Sequence, residues 1–205
     1  MKLVCITQPA SEPIGLSDVE GQCRITDLSA EASTIEIMIQ AVRERAEQIT
    51  RRAFVSQQWE LTLDSFPYGA INLPLPPLQT VDSIKYIDTD GVEQTLYEKG
   101  VDETACRVLT GGEPGAVQPV YGTVWPNTLA DLETVKIRFT CGYGPIAPAT
   151  SLNVPKAICQ WILIQCANLY ENRESQGVAM GRSTVFNLDA TLCDGLIESY
   201  RIHRV

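Results

Sequence analysis

The spacing of hydrophobic and polar positions changes period along the chain, and the changes divide it into helical and β stretches. Ile35, Met38, Ile39, Val42, Ala46 and Ile49 recur at helical spacing and form one apolar stripe. Ser33 and Glu36 have capping-box spacing, so a helix is expected to begin near Ser33. It should end at Arg51 and Arg52, where positive charge suits the carbonyl end. Arg43 with Glu47, and Glu47 with Arg51, stand four apart on what the stripe makes the wet side.

The period then becomes two. Trp59, Leu61 and Leu63 alternate with Glu60, Thr62 and Asp64, and Ile71 and Leu73 predict a short strand before Pro74, Pro76 and Pro77. Residues 84–87 and 92–96 flank Asp88-Thr89-Asp90-Gly91 and predict a hairpin. Gly111, Gly112, Pro114 and Gly115 mark a loop, and Val135, Ile137 and Phe139 alternate with polar neighbours in a last strand. Residues 57–141 therefore predict an antiparallel sheet inserted between helices. Residues 1–15, with Pro9, Pro13 and Gly15, predict an extended arm, followed by a short helix over 18–23 capped by Ser17.

Helical spacing returns in NVPKAICQWILIQCANLYENRE, from Asn153 to Glu174. Asn153 is a fair N-cap and Pro155 suits a first turn. Ala157, Ile158, Trp161, Ile162, Gln165 and Leu169 trace one face, and Leu163, Cys166, Ala167 and Tyr170 cover much of the rest. Such a helix should be buried on several sides, against the Ser33–Arg52 helix, the sheet and the final helix. Residues 175–188 show no period and predict a flexible loop. Asp189 then caps a last helix bearing Leu192, Leu196, Ile197 and Tyr200, which Gly195 weakens. The expected fold class is α+β: a small α-helical bundle with an inserted antiparallel β-sheet subdomain. The whole chain, 1–205, is expected to be a single domain, helical over 16–55 and 153–205, with the β subdomain at 57–141.

Composition narrows the function classes. The formal net charge is −9, which argues against a surface that grips nucleic acid, because phosphate binding needs clustered Lys and Arg. The seven cysteines are odd in number and lack C-x-x-C spacing, and Cys159 and Cys166 are too far apart on one helix to bridge. Free thiols in a reducing cytoplasm are expected. The residues after Lys2 are too short an apolar run for a signal core, and no run approaches a membrane span.

Candidate chemistry is sparse. His203 is the only histidine, so no His base serves a Ser or Cys nucleophile within the fold and no His cluster offers itself to zinc. Counted from Asp88, an EF-hand loop would need glycine sixth and glutamate twelfth, and the chain has Glu93 and Lys99 there. Gly111–Gly115 lacks the Lys-Ser/Thr pair of a phosphate loop. Trp59, Trp125 and Trp161 are candidates for lining a ligand site, but strand, turn and core roles explain them better. No catalytic residue, cofactor site or metal site is assigned.

Several short stretches, in order, carry a resemblance. They are Thr7-Gln8-Pro9-Ala10 with Pro13, Leu16-Ser17-Asp18-Val19-Glu20, residues 46–54 (AEQITRRAF) and residues 58–67 (QWELTLDSFP). The hairpin 84–91, Trp125-Pro126, Cys141-Gly142-Tyr143-Gly144, Val154-Pro155-Lys156-Ala157-Ile158 and Leu169–Glu174 follow. Together they resemble the phage head–tail connector (adaptor) proteins, in the phiE125 gp8-like/gp6-like branch with a β insertion. The likeness covers nearly the whole chain. It departs at Ser199, where the family pattern has proline before the final Tyr-Arg.

The resemblance implies a non-enzymatic virion protein of the phage or prophage neck. It would form a ring, dodecameric on the portal protein, and meet a tail-side neck protein. DNA would pass through its channel without specific binding, and no membrane would be involved. The protein would stand in the host bacterial cytoplasm during assembly and in the head–tail neck afterwards. Leu192, Leu196, Tyr200, Arg201 and Arg204 are the expected partner-binding residues: an apolar stripe and a basic tail on an acidic protein. The alternative is an enzyme or a ligand-binding module, such as a sugar-binding β module, using the inserted sheet, and a cleft lined with convergent carboxylates and aromatics would favour it.

Overall fold

The computed structural model describes residues 1–25, 27–144, 153–172 and 195–202. It contains helices and antiparallel sheets, an α+β fold, in two compact units: residues 1–10 with 55–153, and residues 11–54 with 154–205.

In the helical unit, α1 (Leu16–Cys23), α2 (Leu28–Thr50) and α3 (Lys156–Glu171) pack on one another. Gly15 is the N-cap of α1, and its N–H is held by the Asp18 carboxylate at 2.8 Å. α2 starts five residues before the expected Ser33. Asp27 caps it, accepting from the Ala30 N–H at 3.4 Å and the Ser29 hydroxyl at 2.6 Å. Asp27 caps as well as serine does, and residues 28–32 favour a helix, so the earlier signal wins. Ile35, Ile39, Val42 and Ala46 are buried, as the stripe requires, and Arg51 closes α2 in the left-handed region at φ 57°.

Arg43 is not on the wet side. It is 2% exposed, with Nε 2.7 Å from Glu12 and Nη1 2.8 Å from Glu47. The polar segment before α1 supplies the second carboxylate, a contact 31 residues away in sequence. Glu47 also accepts the Phe54 N–H at 2.7 Å, which fixes the chain as it leaves α2.

α3 begins at Lys156 with Pro155 at its N-cap, not Asn153. Ile158, Trp161, Ile162 and Cys166 are buried, one stripe at helical spacing, whereas Leu169 is 44% exposed. Leu163, Ile164, Ala167 and Tyr170 are half-buried, so cover is deepest along that stripe and partial around it.

The β unit holds a five-stranded and a three-stranded antiparallel sheet. Its strands are β1 (Lys2–Thr7), β2 (Gln57–Leu63), β3 (Ile71–Leu73), β4 (Leu78–Ile87), β5 (Glu93–Glu98), β6 (Cys106–Leu109), β7 (Gly115–Pro119) and β8 (Val135–Cys141). Their orders are β1-β2-β8-β4-β5 and β3-β7-β6. The N-terminal residues expected as an arm thus form an edge strand; four consecutive β-compatible residues, Leu3 to Ile6, suffice.

Registration explains the core. Leu3, Leu61, Ile137, Ile84 and Tyr97 form one row across the five strands, and Cys5, Trp59, Phe139 and Val81 form the next across four. Leu61, Ile84, Ile137 and Phe139 are fully buried, each stabilising by roughly 1.5–3 kcal/mol. Gly115 lets the two sheets approach, because a Cβ there would lie 2.5 Å from the Leu78 side chain. The turn Asp88–Gly91 closes the expected hairpin. The Asp88 carboxylate accepts from the Val92 and Asp90 N–H groups at 2.9 and 3.0 Å, and from Gln94 at 2.9 Å.

Candidate interaction surfaces

The C-terminal residues belong to the helical unit. Residues 195–198 are helical, and Ile197 is 1% exposed. The Arg52 Nε–H donates to the Tyr200 carbonyl, and the Ile202 N–H donates to the Thr50 carbonyl at 3.0 Å. The segment is thus pinned to the end of α2. Arg52, expected at the helix end for its charge, is 5% exposed and uses its side chain as this clamp.

Of the expected partner-binding residues, Leu196 and Tyr200 are half-buried and Arg201 is exposed. Arg201 lies 3.6 Å from Glu198, one helical turn back. Leu192 and Arg204 lie outside the described residues, as do the loop expected over 175–188, the Asp189 cap and His203.

A groove of about 920 Å³ opens on the β unit. Sequence reasoning missed it. One wall is the loop after β2. There Phe66 stacks on Trp125 with centroids 4.7 Å apart and planes 1° from parallel, and meets Tyr86 edge-on at 5.7 Å. The Trp125 indole N–H donates to the Gly69 carbonyl at 2.8 Å, tying this wall to the opposite loop. That loop turns at Gly122, φ +85°, braced by the Thr123 N–H and hydroxyl on the Val120 carbonyl at 3.0 and 2.6 Å. Arg107 and Gln118, direct cross-strand partners on β6 and β7, also line it. Tyr68 and Tyr121 also line it, and both stand fully exposed. Each precedes a glycine in a loop, Tyr68-Gly69 and Tyr121-Gly122, but the same dipeptide recurs at Tyr143-Gly144 outside the groove, so it did not single the groove out. Trp125, for which a turn role is the preferred expectation over a ligand site, lines the groove, whereas Trp161 is buried in the core of the helical unit.

The groove has aromatics but no carboxylate in its lining, although the chain has 25 Asp and Glu residues. Among the described residues no group of three His, Cys, Asp or Glu side chains could hold a metal ion. No helix among them is long and apolar enough to cross a membrane. None of the six described cysteines forms a disulfide. Burial pushes Cys166 up to about 12, with Cys23 nearby adding to it, and burial with the Asp102 charge pushes Cys106 up to about 11.

No protein-family model matches the sequence, and no curated protein matches it significantly. Solved structures do. The chain is similar to one in the neck of an empty gene transfer agent particle computed with C6 symmetry, with TM-score 0.75 and 21% identity. It is also similar to one in the virion of the native gene transfer agent, with TM-score 0.74 and 23% identity. A third is in the native neck computed with C12 symmetry, with TM-score 0.68 and 22% identity. In each case the match covers 100% of this chain and 97% of the other. The fold is therefore one found in gene transfer agent particles, two of the three chains coming from the neck.

Proposed function

We propose that this chain is a structural neck protein, a head–tail connector of a phage-like particle. Twelve copies would form a ring on the portal protein, extend its channel toward the tail and dock a tail-side neck protein below. The observation that carries the reading is end-to-end likeness to neck chains from particles computed with C6 and C12 symmetry. A net charge of −9 suits a conduit past which DNA slides without being held. The β unit follows as a decoration carried by the helical unit, and the 195–202 segment, with Arg201 outward, contributes to docking. An enzyme in the β unit is the weaker reading, since the groove supplies no carboxylate for acid–base work.

The test mixes the purified chain with a portal protein from the same genome and follows the mixture by size exclusion and negative stain. The proposal expects a complex larger than the portal alone, with an added ring on one end. Elution of the two components apart at micromolar concentration, under several salt conditions, would sink it.

A further inference from the structure

The groove of the β unit has no part in the neck reading, and its chemistry is specific. Its floor and one wall are the Phe66–Trp125 stack, locked by the Trp125 bond to Gly69. Two further aromatic side chains, Tyr68 and Tyr121, stand at its rim entirely in solvent. A single exposed aromatic means little, but Tyr68, Tyr121 and the exposed Val124 share one lining with the Phe66–Trp125 stack, and an apolar patch gathered in this way marks a binding surface. The remaining lining mixes hydroxyl and amide side chains, among them Gln118, Asn127 and Thr128, with proline, glycine and small aliphatic residues, and Arg107 is its single charge. In a chain of −9 this is a carboxylate-free patch.

We propose that this groove is a carbohydrate-binding site that takes a stretch of oligosaccharide, neutral or bearing uronate groups. An aromatic face is electron-rich, and the C–H face of a sugar ring is its electropositive complement. Sugar hydroxyls at the ring edge are donors and acceptors at once, which amide and hydroxyl side chains match and a row of carboxylates would not. Aromatic walls with a few polar groups are the usual makeup of a small-molecule site, and about 920 Å³ sits near the upper end of that size class, room for more than one ring. Single-stranded nucleic acid also stacks on aromatics, but it needs a cationic track, and one arginine is not a track.

Native affinity electrophoresis of the full chain tests this directly. The gels would contain dextran, hydroxyethyl cellulose, galactomannan, polygalacturonate or alginate. At least one should slow the wild-type chain relative to a reference protein. The Tyr68→Ala/Tyr121→Ala double variant removes only solvent-exposed rings, so its fold should persist by circular dichroism. It should bind at least about tenfold more weakly. Arg107→Gln should relieve slowing in the uronate gels and leave the neutral gels unchanged. If none of the five polymers slows the wild type, or if the folded double variant is slowed equally, the proposal is wrong. Loss of self-association in the double variant, with no polymer effect on the wild type, would make the rim a protein contact and equally overturn it.

Discussion

Arg43 Nε donates to the Glu12 carboxylate at 2.7 Å, joining the middle of α2 to the segment that precedes α1. The same guanidinium reaches Glu47 at 2.8 Å, and Glu47 in turn holds the Phe54 N–H. Burial works against the arginine's charge, but Glu12 and Glu47 outweigh it and hold its pKa above the usual arginine value. Arg43→Ala removes the buried cation that Glu12 and Glu47 share, and should cost about 3–5 kcal/mol. Glu12→Gln, at a side chain 28% exposed, should cost clearly less. Urea titration of both variants checks the order, and equal costs would contradict the network.

Trp161 is 4% exposed in the stripe of α3. Trp161→Arg places an unpaired charge there and loses the aromatic packing. The expected loss is several kcal/mol, roughly 3–5, a large share of the roughly 5–15 kcal/mol of a typical domain. Near-unchanged melting would show that α3 is not the core of the helical unit.

Gly142 has φ +112°, and a Cβ there would lie 2.2 Å from the Val55 carbonyl oxygen. Both the dihedral and the backbone contact forbid a side chain. Gly142→Ala should cost about 1–3 kcal/mol, whereas Gly21→Ala, with nothing within 4 Å, should be neutral or stabilising. Thermal melts of the pair decide it.

The buried thiols predict a pH dependence. Cys166 and Cys106 are raised from 9.0 to about 12 and about 11, so their neutral forms are favoured by folding. That stability is fully present below pH 9 and is lost as pH rises through the folded values. Melting temperature should therefore fall steeply above pH 9 at a rate reduced in Cys166→Ala. At neutral pH a thiol reagent should modify Cys106 and Cys166 slowly in the native chain, while denatured, unreduced protein should show all seven thiols. Fast native labelling of Cys166 would overturn the burial argument.

Period-driven elements were legible. The stripe of α2, the alternation of β2 and β8 and the hairpin at Asp88–Gly91 all follow from side-chain spacing, which local sterics enforce. What was not legible was set at a distance. Arg43 looked like a surface residue because its second partner, Glu12, lies outside the helix. Lys2–Thr7 is too short to declare itself a strand without β2 beside it. The groove depends on loops at 65–70 and 119–128 meeting in space, so no single window contained it. Tyrosine precedes glycine three times, at Tyr68, Tyr121 and Tyr143, and nothing local tells the two that converge on the groove from the third.

The neck reading is tested most directly by electron cryomicroscopy of the chain bound to its portal, reconstructed without imposed symmetry. The account predicts a ring of twelve copies on one end of the portal, with the helical units around an open channel. It also predicts that Arg201→Glu, at an exposed side chain, lowers ring occupancy while leaving the melting temperature unchanged. Bare portals beside free monomers, or a ring that closes the channel, would contradict it.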